Sequence, residues 1–223
     1  KSLKAHLALV DLYEKLNRDK EAAAVYEAIA KLSPDNKVVH YNQGVLYYEM
    51  KQFDRAAKAF SQVLKLDKKD VDAREYLVEV YRKKKKPRQA LTVLRELIKL
   101  RPDHWPYYAE AFELYDQLKA YEEMTKTFAR AVGKAPEQPE LRYFLGISYE
   151  KRNLLVEALH QFEALVKMAP KNIDYLVHLA GLYEQIGKTE NALETYQKVL
   201  DLDPENPEAQ ENYLRLKMRE IGG

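Results

Sequence analysis

The chain has 223 residues, 46% hydrophobic and 32% charged, and its 37 Lys and Arg nearly balance 35 Asp and Glu for a net charge of +2. That balance argues against a wholly basic nucleic-acid binder, and the absence of cysteine excludes disulfides and thiolate metal centres. Glycine (7) and proline (9) are sparse for this length, which favours helices over a turn-rich β fold. The longest stretch without a formal charge, residues 38–48, is far shorter than the roughly 20 apolar residues of a membrane span.

In chain order, the apolar pattern starts at once with Leu3, Leu7, Leu9, Val10 and Leu12 and has no polar cap before it. This predicts that further repeats precede Lys1 and that the chain is a fragment of a longer one. Tyr13 opens a series, Tyr13, Tyr47, Tyr81, Tyr115, Tyr149 and Tyr183, each 34 residues after the last. An internal period of this length marks a repeat architecture. Ala22, Ala56, Ala90, Ala158 and Ala192 keep the same step, with Met124 as the exception, and so do Pro34, Pro102, Pro136, Pro170 and Pro204, with Lys68 standing in once.

Each unit reads as two helices. In 37–70, Val39, Leu46 and Tyr47 share one helical face, the pattern breaks at Lys51-Gln52, and Ala56, Phe60, Val63 and Leu64 face inward from a second helix. Asn36, Asp70, Asn172 and Asn206 occupy one phase and are expected to cap helix starts. Pro139 and Pro207 follow that phase, where a missing N–H costs nothing. The repeated prolines are expected to end the second helices. The predicted units are 3–36, 37–70, 71–104, 105–138, 139–172 and 173–206, and a final helix runs from Pro207 to about Glu220. On that helix Ala209, Tyr213 and Leu216 face back, while Gln210, Glu211, Arg215, Lys217 and Arg219 form a solvating side.

Reactive constellations are missing. No two of the five histidines have metal-ligand spacing, the few serines lie in no nucleophile-elbow context, and the glycines form no phosphate-cradling loop. No enzyme, metal or cofactor is expected. His104, between Asp103 and Trp105, reads as a capping or turn residue. The run Arg82 to Arg88 reads as a solvated turn at a helix C-terminus, where cations are favoured; an import signal, a membrane contact or a phosphate contact are the other readings. The compartment is not legible: a cytoplasmic location is expected first, a soluble domain of a membrane-associated or exported protein second.

The 34-residue period, the small residues Gly44, Gly146 and Ala180, the tyrosine three positions later, the alanine series and the terminal proline together resemble the tetratricopeptide repeat family. The resemblance covers Leu3 to Asn206. Pentatricopeptide repeats have a period of about 35 and basic RNA-binding surfaces, so a strict 34 argues against them. The resemblance implies an all-α, right-handed α-solenoid of six helix–turn–helix repeats plus a C-terminal capping helix. It also implies that the first helix of each repeat lines a concave groove, and that peptides lie in it.

The residues expected in that groove follow from the core face. In the second unit Val38, Tyr41, Val45 and Tyr48, with Asn42, make a second helical stripe. It is either a docking strip or packing for neighbouring repeats. The next helices offer Asp72, Glu75, Tyr76 and Glu79, then Glu110, Glu113 and Asp116, and the fifth unit turns apolar with Tyr143, Phe144 and Ile147. A groove reading apolar, acidic, apolar would take a peptide with Lys or Arg between apolar anchors; the bland alternative is a solvated acidic face. The chaperone-tail subtype of the family clamps a carboxylate with Lys, Arg and Asn. Here those phases carry Leu7, Asp11, Asn42, Asp72 and Tyr76, and only Asn42 fits, so that partner is excluded. The expected function is a non-enzymatic protein–protein interaction scaffold. The second reading is an assembly element of a longer solenoid that self-associates or bridges subunits. Nucleic acid is not an expected partner.

Overall fold

A computed structural model describes residues 3–222 of the chain and contains thirteen α-helices and, among those residues, no strand. The chain divides into two compact units, one ending at Leu118 and the other beginning at Lys119. The first unit holds α1 (Leu3–Lys15), α2 (Asp19–Leu32), α3 (Lys37–Glu49), α4 (Phe53–Leu66), α5 (Val71–Lys83), α6 (Pro87–Leu100) and α7 (Trp105–Gln117). The second holds α8 (Tyr121–Lys134), α9 (Pro139–Glu150), α10 (Leu155–Met168), α11 (Ile173–Gln185), α12 (Thr189–Leu202) and α13 (Pro207–Gly222). Every helix from α3 onward starts 34 residues after the helix two before it. None of them is long and apolar enough to cross a membrane.

The same side-chain devices recur at the same phases. Asn36, Asp70, Asn172 and Asn206 each accept a hydrogen bond from the backbone N–H three residues on, at 2.9–3.2 Å, as N-caps do. His104 and Gln138 occupy this phase without a side-chain cap bond; the His104 ring lies against Tyr107 instead, 4.1 Å between centroids. Four positions further into the repeat, a side chain donates back to the loop, to a carbonyl six residues before it. The Arg142 guanidinium and the Gln210 amide reach the carbonyls of Pro136 and Pro204 at 2.9 and 2.7 Å, and the Tyr108 hydroxyl reaches that of Pro102 at 3.1 Å. Arg74 does the same to Lys68, and the His40 ring nitrogen lies 2.7 Å from the Pro34 carbonyl. Different residue types thus do one job, satisfying a loop carbonyl, which is why no composition signal marks the phase.

The prolines are not what ends the second helices. α2, α6, α8, α10 and α12 stop two residues before a proline, and α4 stops at the same phase before Lys68. The stop is made by Ser33, Asp67, Arg101, Ala135, Ala169 and Asp203, all at φ between −132° and −140°. A following proline favours that extended conformation without being required for it.

Burial follows the helical period. α4 buries Ala56, Ala59, Phe60 and Val63, the spacing of one helical face. In the first unit Ala56, Phe60 and Val63 pack with Val10, Ile29, Val39, Leu46 and Leu77 into one core. In the second unit Leu176, Ala180, Ala192, Tyr196 and Val199 form another, closed at its end by Ala209 and Leu216 of α13. Two glycines set helix approach. A Cβ on Gly44 would stand 2.7 Å from the Phe60 ring, and one on Gly146 would stand 2.7 Å from the Phe162 ring. In α13 the expected polar side is not wholly solvated. Arg215 makes a two-pronged ion pair with Glu184 at 2.5 and 2.9 Å, and Leu214, Met218 and Ile221 are exposed beside the charges.

Candidate binding groove

Close helix approach at the glycines builds the recognition surface. Because Gly44 lets the edge of the Phe60 ring against α3, the ring face is turned to α5. Phe60 stacks on Tyr76 at 4.8 Å and 13°, and Tyr41 meets both rings edge-on at 5.8 Å. Tyr48 also meets Tyr76 edge-on at 5.7 Å. The second unit repeats this three repeats later. Phe162 stacks on His178 at 4.8 Å and 17°, and Tyr143 meets them edge-on at 5.9 and 5.6 Å. Such offset and edge contacts add roughly 0.5–1.5 kcal/mol per pair beyond burial. The triads therefore fix aromatic rings rigidly along the first helices of the repeats.

The predicted residues divide by surroundings. Tyr41, Val45, Tyr48 and Tyr76 are partly buried and packed against the core, so they are packing residues with one accessible side; Val38 is exposed, at 62%. Tyr41 and Tyr76 join Asp72, Glu75 and Glu79 around a cavity of about 290 Å³. A neighbouring hollow of about 630 Å³ is lined by Tyr41, Asn42, Val45 and Tyr76. It also takes in Glu14, Asp19 and Glu49, acids the sequence analysis did not place there.

The acids are not equivalent. Arg82 lies 3.4 Å from both Glu110 and Glu113 and offsets their charge. Glu75 accepts a hydrogen bond from the Tyr107 hydroxyl. Burial pushes the Glu110 carboxyl above the usual range, against the pull of Arg82 and helped by Glu79, Glu113 and Glu75. Asp72 and Glu79 are exposed, and among the described residues neither has a cation within ion-pairing distance. Asp116 is half-buried.

In the second unit Phe144 is half-buried beside Tyr143. Ile147 is buried at 8%, so it offers a partner little surface, contrary to its expected place in the groove. Tyr143 instead shares a hollow of about 270 Å³ with Asp174, His178 and Glu208. His178 lies 3.6 Å from Glu150. The apolar triplet on α9 gives no sign of His178 and Tyr175, whose rings come beside Tyr143 through the packing of α11.

The basic run does not form one patch. Arg82 serves Glu110 and Glu113, Lys84 pairs with Asp54, and Lys85 occupies a turn at φ 52°. Among the described residues no group of three or more His, Cys, Asp or Glu is arranged to hold a metal ion. What the surface of the first unit offers is fixed aromatic rings beside the exposed carboxylates of Asp72 and Glu79.

Comparison with known proteins bears on this surface through the fold. TPR repeat-containing protein MJ1428 of Methanocaldococcus jannaschii is 25% identical over 193 residues, 86% of this chain and 30% of the relative. YpiA of Bacillus subtilis, also a TPR repeat-containing protein, is 24% identical over 213 residues, 92% of this chain and 42% of the relative. The chain thus spans less than half the length of either. Among solved structures, YrrB, described as a TPR protein with an unusual peptide-binding site, matches with a TM-score of 0.61 at 20% identity, over 85% of this chain and 98% of that one. Tetratricopeptide repeat models match residues 3–36, 47–120 and 125–173, and a TPR repeat model matches 182–213. With these matches spread over the same 34-residue helix pairs that carry the aromatic triads, the chain belongs to the tetratricopeptide repeat family.

Proposed function

We propose that the protein is a non-enzymatic scaffold and that the groove on its first unit holds a protein segment carrying Lys or Arg between apolar anchors. The observation that carries this is the cavity where Asp72, Glu75 and Glu79 surround the Tyr41 and Tyr76 rings. An ammonium or guanidinium head fits there twice over, against carboxylates and against ring faces. Apolar residues on either side of it would meet Val38 and the accessible sides of Val45 and Tyr48. YrrB, a peptide-binding member of the same fold, supports the class of function, not this ligand.

The variant that tests the reading is Asp72→Lys with Glu79→Lys, since neither side chain is tied into an ion pair. A labelled peptide with Lys or Arg at every third or fourth position among apolar residues should lose affinity at least tenfold. The loss should fall mainly on the association rate, and the salt dependence of binding should weaken. Equal affinity for wild type and variant would leave the acids as a solvated face. A second reading, assembly through the first helix, is favoured by Leu7, Leu9 and Leu12 on α1 and Leu16 just after it, exposed at 37–55%. Sedimentation at low and high protein concentration decides it: an unchanging monomer overturns self-association.

A further inference from the structure

A different face of the first unit carries a second surface of opposite charge. On α3 the groove stripe is Tyr41, Val45 and Tyr48; His40, Gln43 and Tyr47 lie roughly 140° around the helix at 100° per residue. That opposite face forms the floor of a cleft of about 520 Å³ between α2 and α4. Its walls carry Lys31 from α2 and Arg55, Lys58 and Lys65 from α4, against a single carboxylate, Glu27. Glu27 is already engaged. It accepts from the Tyr47 hydroxyl at 2.7 Å and lies 3.6 Å from Arg55, whose guanidinium stacks over the Tyr47 ring. Lys31, Lys58 and Lys65 are exposed and have no carboxylate within ion-pairing distance among the described residues.

The other repeats supply the control. At the phases of Arg55, Lys58, Gln62 and Lys65, α6 has Gln89, Thr92, Glu96 and Lys99, and there the acid and base pair with each other at 2.6 Å. At the same phases α12 has Asn191, Glu194, Lys198 and Asp201. α8 has two cations at these phases, Lys126 and Arg130, but beside Glu123, and α2 and α10 carry Glu21 and Glu157 there; three cations with no acid occur at these phases in α4 alone, so the stripe belongs to the second repeat and not to the repeat pattern. Helix electrostatics account for Lys31 and Lys65, which stand in last turns, where the dipole favours cations. They do not account for Arg55, in the first turn of α4, or for Lys58.

We infer that the cleft between α2 and α4 binds an acidic, extended protein segment, so that the molecule holds partners of opposite charge on opposite faces of α3. The geometry selects this chemistry. From Arg55 to Lys65 the helix rises about 15 Å, the length of four or five extended residues, whose same-side carboxylates recur about every 7 Å. A lone phosphate would reach only part of that length. The cleft also disfavours single-stranded nucleic acid, because its two rings, His40 and Tyr47, are 7% and 4% exposed and present no open face for base stacking. The Gln43 amide, 8% exposed at the floor, can bond to the segment backbone.

The test uses the full chain and three probes: a labelled dodecapeptide alternating Glu and Ser, a single-stranded oligothymidylate of equal charge, and inorganic phosphate. Wild type should bind the peptide saturably and more tightly than either other probe. Lys58→Glu with Lys65→Glu should weaken it at least tenfold while leaving the helical circular dichroism unchanged. Asp72→Lys with Glu79→Lys should leave it within twofold, which separates this site from the groove. Equal affinity in the lysine variant, binding of the oligonucleotide as tight as that of the peptide, or no saturable peptide binding would each overturn the inference.

Discussion

The turn inside each repeat hinges on one backbone position. Asn17, Lys51, Lys85, Lys119, Asn153 and Gly187 are 34 residues apart and all have φ between 52° and 78°. The N–H of the next residue bonds back to the carbonyl of the recurring tyrosine, as from Gln52 to Tyr47 and from Lys86 to Tyr81, at 2.8 and 2.9 Å. This is the glycine-favouring helix end, yet three lysines occupy it, at a cost of about 1 kcal/mol each. Lys85→Gly should therefore raise stability by about 0.5–1 kcal/mol, read as a higher thermal midpoint, and Lys85→Val should lower it; a glycine variant that melts earlier would show that the turn is not strained. The tyrosines set an alkaline limit. Burial first, and a nearby glutamate next, push Tyr26 and Tyr196 to about 12, and burial together with Glu27 or Glu163 does the same for Tyr47 and Tyr183. Unfolded tyrosine titrates near 10, so the fold favours the neutral phenol. The stability this contributes is complete below pH 10 and is lost as pH rises from about 10 towards about 12. Absorbance of tyrosinate should show a late-titrating group whose ionisation coincides with loss of helix; titration of every tyrosine near 10 in the folded protein would contradict it.

At the scale of the element, helix propensity and packing pull in opposite directions at the glycines. Ala is favoured over Gly in a helix by about 1 kcal/mol. At Gly133, where a Cβ would meet nothing within 4 Å, Ala should therefore stabilise α8. At Gly44 the same change drives a Cβ to 2.7 Å from Phe60, a ring that is 0% exposed and cannot swing away. Overpacking of this kind costs about 1–3 kcal/mol, so Gly44→Ala should destabilise despite the better propensity. Thermal unfolding of the two variants checks the pair, and two shifts of the same sign would break the argument. This packing was legible in the sequence as far as the small residue at Gly44 and the large ring at Phe60. The capping residues Asn36, Asp70, Asn172 and Asn206 were legible too, because an N-cap is a local event with a local signal. What could not be read was whatever depends on a neighbouring helix. The Tyr76 ring turns inward onto Phe60, Ile147 is covered, Arg215 turns to Glu184, and Glu14, Asp19 and Glu49 join the groove acids only once α1 to α3 are side by side.

At the scale of the molecule, the helices of each unit pack on their neighbours in the chain, so the stability of a unit is a sum of repeat terms and nearest-neighbour terms. Core contacts follow this rule within each unit: Val10 to Val80 in the first and Leu176 to Leu216 in the second. The site was legible only in outline for the same reason, since the 34-residue period places the first helices but the charge of a cleft such as that between α2 and α4 comes from two adjacent second helices together. A nearest-neighbour molecule should not unfold as one body. Hydrogen exchange should find α1 least protected, because Leu7, Leu9 and Leu12 are exposed on it, Val10 is its one buried residue, and few buried contacts hold its amides closed. Local damage should also stay local. Gly44→Ala should speed exchange in α3 and α4, where the clash is, and to a lesser degree in α2 and α5, which pack on them. Amides of α12 and α13, held by Tyr196, Ala209, Leu216 and the Arg215 to Glu184 pair, should keep wild-type rates under native conditions. Equal acceleration in every helix would mean that unfolding is a single cooperative event, and that the repeats are not the units in which this protein stores its stability.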